Sequence, residues 1–485
     1  MSEENNRNEE FSQDEEISRN GEKISEECEE LCQSDEAEVK RADKAPRKVC
    51  LSTVICVVAI FVVAAIMLTY TLCSFSYKQK LAEIKIKDAQ ESNADELTTL
   101  DVLASIFEAY SFEELDEETI RTEVLKAYVR ATGDKYAEFY TLEEFAVIEK
   151  QMQGISQGIG ISIINSTVTI NGVEHKALKV INVMKDSPAR NAGLNVGDYI
   201  VAVGTEDDYK TISELGYDRG LADLRGTAGT EAELGYYNTD MSAPEFISII
   251  RAEFTEMSVM YQKVDSDVAQ GVGLVKILSF DSTTPTQLID AIEELKEDGC
   301  EKFVFDLRYN PGGQLDSIAK ILSYFLDEGD TIISMRDKRE QLDVVKAEVS
   351  EKYGITAEDI GRYKGINAVV LCNENTASAA ELFVANFRDH GLGEVVGTTT
   401  YGKGTVQTYM SSINIGGERV SLGGVLKLTV YMYYPPNGES YDGIGIVPKD
   451  DCTVELSEEA KENNIYEIMG TKTDNQLVEA VKHFK

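Results

Sequence analysis

The sequence predicts an α/β core joined to a small β-rich domain, preceded by a helical segment, one transmembrane helix and a disordered acidic tail. Three observations predict this order. Charge is concentrated at the start, where residues 1–39 hold 15 acidic side chains against three basic ones. An uncharged run follows from Val49 to Phe75. From Val264 onward, short β-branched runs alternate with amphipathic helical ones, the pattern of a layered α/β fold.

The 485 residues suggest about three domains, and a hydrophobic content of 42% is enough to build cores. Lys and Arg total 47 against 86 Asp and Glu, a formal net charge of -39. A chain this acidic is repelled by phosphate backbones and anionic headgroups, which excludes nucleic acid as a partner. Residues 1–48 read as a cytoplasmic tail too polar to fold. The run within 49–77 is long enough to cross a bilayer and reads as a signal anchor. Cations on its two sides nearly balance, Lys40 to Lys48 against Lys78, Lys80, Lys85 and Lys87. The short tail is therefore placed in the cytoplasm because long C-terminal regions translocate regardless of charge, which predicts a single-pass protein of the cell membrane. Beyond the span only Cys300, Cys372 and Cys452 remain, no disulfide framework. Cys28 and Cys32 in the tail have no histidine nearby.

Residues 78–153 read as helical, with Leu100, Leu103, Ile106 and Phe107 on one stripe and Leu125, Tyr128 and Val129 on another. Glycine then punctuates short β-rich runs over 154–255, including 159–164, 178–183 and 199–203. The core spans 256–470, with strands expected at 274–278, 303–307 and 368–371 and helices at 286–297, 315–325 and 379–388, and a C-terminal helix closes the chain over 471–485.

Three motifs bear on chemistry. Gly154 to Gly158 fits G-x-S-x-G, but a nucleophile elbow must enter a helix and a β-branched run follows instead. Gly397 to Gly404 approaches a Walker A loop, yet it lacks the magnesium-ligating hydroxyl and also leads into a strand-like run. The third pairs Ser378 with Lys403. Ser378 opens a helix whose positive end suits an attacking oxygen, although Ser378-Ala-Ala-Glu381 is equally a capping box. Glycines flank Lys403, so the backbone can approach closely and bury the amine, which lowers its pKa and supplies a neutral base; a solvated loop lysine fits the spacing as well. Lys403, Thr405 and Gln407 share one face of a strand, so Gln407 could aim the amine. Three histidines leave little material for a Ser-His-Asp triad or a His-rich metal site.

From about Gly133 to the C-terminus the chain resembles the C-terminal processing peptidases, the tail-specific serine proteases. The resemblance rests on stretches in order: Gly133 to Tyr136 ahead of Tyr140 to Phe145, Gly158 to Ile161, Asp186 to Leu194 with Gly197-Asp198, Leu224 to Thr230, Asp306 to Gly313, Thr376 to Glu381, and Thr400 to Gln407. It implies that Ser378 is the nucleophile, Lys403 the base and Gln407 its orienting partner, with the oxyanion held by the amide of Ala379 and one from Gly312 or Gly313. It also implies that the β-rich domain is PDZ-like, its loop Gly158, Ile159, Gly160 and Ile161 receiving the carboxylate of a free apolar C-terminus, with Arg225 linking that domain to the active site. No metal, nucleotide or other cofactor is implied. Protein or peptide substrates with exposed C-termini are the implied partners, with self-assembly or an activating partner left open. Four departures touch substrate range: the variable stretch 205–221, a second half of the β domain (233–254) without clean strands, a polar insertion at 337–364, and Pro448-Lys-Asp near the end. The rival class is a catalytically silent PDZ-bearing membrane scaffold.

Overall fold

The computed structural model describes residues 116–485 apart from 239, 242 and 416, together with 96–112 and isolated positions between 63 and 80. The chain divides into a unit ending at Glu117 and a unit running from Glu118 to Lys485. In the first, Glu96–Tyr110 is a helix of 15 residues, and Leu100, Leu103 and Phe107 of the expected stripe are exposed. The acidic tail and most of the anchor expected over 49–77 lie outside the described residues. Among the described residues no helix is long and apolar enough to cross a membrane. The expected placement in the cell membrane, with the N-terminus cytoplasmic and the enzyme outside, is corrected accordingly. A 15-residue helix reaches roughly 22 Å, short of the ~30 Å hydrocarbon layer.

The second unit is built on a five-stranded sheet in the order Val259–Lys263, Val272–Ile277, Lys302–Asp306, Asn367–Cys372 and Gly393–Gly397. The first pair is antiparallel and the others are parallel. Alternation along each strand serves two faces. Phe303 and Phe305 point into the larger core, against Leu288, Ile292, Leu322, Phe383 and Phe387 from the helices Thr284–Glu297, Leu315–Ser323 and Ala379–Asp389. Val304, between them, joins Val369 and Val396 on the opposite face, covered by Cys452, Met469 and Leu477. Helices on both faces are what a parallel sheet requires. The expected strands and helices of the core appear within two residues of their predicted ends.

A second five-stranded sheet contains Glu138–Tyr140, Glu418–Tyr434, Thr331–Asp337 and Leu342–Lys346, with Thr405–Ile415 paired along Glu418–Tyr434 as a long hairpin. The presumed insertion at 337–364 begins as the return of one of its hairpins, and Tyr353, Ile355 and Tyr363 are buried in the larger core. Its polar composition hid three anchoring side chains.

Residues 154–255 form a separate antiparallel sheet, Ile161–Ile170, Val173–Val183, Tyr199–Gly204, Glu231–Tyr237 and Glu245–Ile250, around its own core of Leu178, Val180, Ile200, Ile212 and Leu234. The expectation that 233–254 lacks clean strands is corrected. Glu231–Tyr237 and Glu245–Ile250 pair over six positions, because Ala232, Leu234 and Ile249 are buried at alternate places despite the intervening glutamates. A short pair, Ile155–Gly158 with Ala252–Thr255, closes this region where it leaves the core. Gly154 to Gly158 thus leads from the helix Leu142–Met152 into the strand Ile155–Gly158, whereas a nucleophile elbow must leave a strand and enter a helix.

Candidate active site

Ser378 stands between the strand Asn367–Cys372 and the helix Ala379–Asp389, with φ 58° and ψ -120°. For a residue carrying a Cβ this left-handed value is strained, by about 1–3 kcal/mol, and it turns the side chain out at the helix start. Gly312 accepts this close approach. A Cβ there would lie 2.8 Å from the Ser378 Cβ and 3.0 Å from the Ala379 nitrogen. Ser378, Ala379, Gly313, Lys403 and Gln407 all line one cavity of about 910 Å³.

Two buried groups bring the serine and the lysine together. The Glu381 carboxylate, fully buried, accepts hydrogen bonds from the backbone N–H of Ser378 (2.8 Å), Gly402 (2.6 Å) and Lys403 (2.8 Å) and from the Thr400 hydroxyl (2.6 Å). Burial pushes this carboxyl above its usual range, against the four donors that favour the anion. Glu381 therefore does make the capping contact its spacing allows, and also ties the helix start to the loop 400–403. The Tyr433 hydroxyl lies between the carbonyl oxygens of Ser378 (3.0 Å) and Lys403 (2.6 Å), and accepts from Tyr441 at 2.8 Å. Neither Tyr433 nor the hub role of Glu381 was visible in the motifs. Only the position of Glu381 in a capping box hinted at its use.

The Lys403 amine is half-buried, and among the described residues it forms no hydrogen bond or ion pair. It lies 4.5 Å from the ring centroid of Tyr136, which the Gly133 to Tyr136 stretch delivers to the cleft. Burial pushes the amine below its ordinary 10.5, the Lys427 and Lys135 charges push it the same way, and Glu381 opposes them. Gln407 shares the cavity but its Nε2 donates to Thr405 Oγ1 (3.0 Å) and Thr429 Oγ1 (3.2 Å). Its amide oxygen has no partner among the described residues. Thr429 is fixed in turn by Asp134, which accepts from its N–H (2.9 Å) and hydroxyl (3.0 Å). The Gly133-Asp-Lys-Tyr stretch thus braces the cleft twice, through Asp134 and through Tyr136.

The two candidate oxyanion glycines differ. The Gly312 N–H donates to Asn310 Oδ1 at 2.8 Å, whereas the N–H groups of Gly313 and Ala379 have no partner among the described residues. Pairing of Phe280 with Gly313 in a parallel bridge holds this loop in place.

In the β-rich region, Gly158, Ile159, Gly160 and Ile161 line a cavity of about 380 Å³ together with Arg225. The N–H groups of Ile159 and Gly160 are unpaired among the described residues. The backbone leading into Arg225 is fixed by Arg251, a buried side chain that donates to the carbonyls of Asp223 (2.8 Å), Leu224 (3.1 Å) and Glu231 (2.7 Å). Glu256 lines both this cavity and the one containing Ser378. The geometry can support acyl transfer at Ser378 and capture of an anion at the 158–161 loop.

The model of peptidase family S41 matches residues 271–451. A carboxy-terminal-processing protease of Bartonella bacilliformis is 32% identical over 326 residues, covering 66% of this chain and 67% of that protein. A CtpA-like serine protease of Staphylococcus aureus is 27% identical over 403 residues, covering 82% of this chain and 73% of that one. Among solved structures, the photosystem II D1 C-terminal processing protease aligns with 82% of this chain and 99% of its own, at 21% identity and a TM-score of 0.42.

Proposed function

We propose, from the premise that the chain belongs to peptidase family S41 and is a serine-type peptidase of the carboxy-terminal-processing kind, that it cleaves proteins near free apolar C-termini with a Ser378–Lys403 dyad. The observation that carries this reading is the Lys403 amine, unpaired among the described residues, half-buried and depressed in pKa, in the same cavity as a strained serine. Neutral Lys403 takes the proton from Ser378 Oγ, and the oxygen attacks the scissile carbonyl. The N–H groups of Ala379 and Gly313 receive the developing oxyanion, helped by the positive helix end. Lys403 then returns the proton to the leaving amine and later activates the water that releases the acyl chain. Gln407, through its free amide oxygen, orients the amine.

The region 154–255 acts as a PDZ-like module in this reading. A substrate tail adds beside Ile161–Ile170, its carboxylate taken by the unpaired amides of Ile159 and Gly160 beside Arg225. Glu256, at the border of both cavities, marks the path toward Ser378. Hydrolysis of a quenched peptide ending in a free apolar residue tests the whole reading. Wild type is expected to cut it, Ser378→Ala to bind it without cutting, and the C-terminal amide to bind at least about 5-fold more weakly through loss of charge-assisted bonds. Cleavage by Ser378→Ala would sink the dyad, and equal affinity for acid and amide would sink the PDZ assignment.

A further inference from the structure

Away from the cleft, three side chains that the chemistry above does not use converge at the C-terminus. Asp451 and Cys452 lie in the short turn Asp450–Cys452, and His483 ends the turn Val481–His483. One ligand-type atom from each lies within 4.8 Å of the others. The Cys452 sulfur is 3.7 Å from His483 Nδ1. A tetrahedral zinc ion with a sulfur at ~2.3 Å and a nitrogen at ~2.0–2.1 Å holds those two atoms about 3.6 Å apart. The other ring nitrogen, Nε2, is buried, has no hydrogen bond among the described residues and stands 3.4 Å from Glu479 Oε1. A carboxylate facing the far nitrogen of a histidine is the arrangement that fixes a metal-binding tautomer. Cys452 is 1% exposed, whereas Asp451 is exposed and free to swing its carboxylate inward. The set is therefore closed on the protein side and open to water on the other.

We propose that Asp451, Cys452 and His483 bind one Zn²⁺, with Glu479 as positioning residue for His483 and water in the fourth place. On binding, the ion displaces the thiol proton of Cys452 to solvent and a Zn–S bond forms, with no change of oxidation state. The site ties the last turn of the chain to the segment beside Gly397, since Thr453 bridges Gly397 and the Val454 N–H donates to its carbonyl at 2.9 Å. Gly397 ends the strand that feeds the loop carrying Lys403. Zinc here acts as a clasp on the scaffold of that loop, its water-bearing fourth place facing solvent.

The test uses the full chain, stripped with a chelator and titrated with Co²⁺ as a spectroscopic stand-in and then with Zn²⁺. One equivalent of Co²⁺ is expected to give a thiolate-to-cobalt charge-transfer band that Zn²⁺ bleaches, and Zn²⁺ is expected to raise the melting temperature. Cys452→Ser and His483→Gln should each abolish the band, Glu479→Gln should weaken binding about 10–100-fold, and the double change Cys28→Ser, Cys32→Ser should leave it intact. Should Cys452→Ser fail to fold by circular dichroism, His483→Gln and Glu479→Gln decide alone. Absence of the band in wild type, its survival in Cys452→Ser or His483→Gln, or its loss in the tail variant overturns the proposal, leaving a plain thiol–imidazole hydrogen bond.

Discussion

Two lysines sit deep in the same unit and have opposite surroundings. Lys276 is 1% exposed, donates to the Arg308 carbonyl at 3.0 Å and lies 3.4 Å from Asp306. Arg308, fully enclosed, bridges Asp306 and Asp474, each at 2.7 Å, so two cations meet two anions in one buried cluster. Lys403 is less buried yet has no carboxylate partner among the described residues, only an aromatic face and two neighbouring cations. Burial depresses both amines; at Lys276 Asp306 pulls back against it while Arg308 adds to it, and at Lys403 Lys427 and Lys135 add to it while Glu381 pulls back. What sets Lys403 apart is that the carboxylate pulling on it, Glu381, acts through space while holding four other donors, so the amine keeps no direct acid partner among the described residues.

The largest effect that can break this contrast is on turnover. Lys403→Ala should fold with stability changed by no more than about 1 kcal/mol, while peptide cleavage falls at least about 10²–10⁴-fold, measured by single-turnover kinetics. Lys403→Arg should fare no better, because guanidinium keeps its proton. Full activity in either variant would return Lys403 to the status of a solvated loop residue.

Next comes stability at the paired cluster. Arg308→Met strands Asp474 in the interior and leaves Asp306 with Lys276 alone, and should cost about 3–5 kcal/mol in urea unfolding. A cost below about 1 kcal/mol would mean that the cluster is hydrated and the comparison misdrawn.

Acid titration probes the same cluster more gently. Burial pushes the Asp306 carboxyl up, but Arg308 and Lys276 outweigh it and hold it at about 2, below the ordinary 3.8. A depressed carboxyl stabilises the fold above its unfolded pKa, so this contribution is complete above about pH 4 and disappears as pH falls toward 2. It amounts to about 2 kcal/mol, and guanidinium melts at stepwise pH should lose that much in Asp306-containing protein and not in an Asp306→Asn, Arg308→Met pair.

The smallest effects sharpen the lysine side, and they have opposite signs. Lys427→Gln removes a like charge, so the midpoint of the pH–rate curve should move up by about half a unit to one unit. Tyr136→Leu removes the ring that favours the ammonium, worth about 0.5–1 kcal/mol, and should move that midpoint down by less than one unit. Shifts in the same direction would show that packing, rather than charge, sets the amine.

Much of this molecule was legible in the sequence, because the signals are local. The alternating runs from Val272 to Gly397 specify strands and helices by period, since neighbours two or three to four positions apart share a face. Read alone, the segments holding Ser378, Lys403 and Gln407 fit a helix cap and a solvated lysine as well, so it was their order along the chain, through the family resemblance, that named them as a candidate site without coordinates. The strands over 231–250 were obscured because glutamates interrupt a core-facing alternation that only burial reveals. What tertiary structure alone decided is which distant groups meet. Asp474 reaches Arg308 across 166 positions and Asp134 reaches Thr429 across 295. Glu381 looks like a helix cap until the loop 400–403 folds onto it, and Gly313 is told from Gly312 only by where Asn310 points. Periodicity reports one element's own faces, while counter-charges and free amides depend on elements that the chain brings together only when folded.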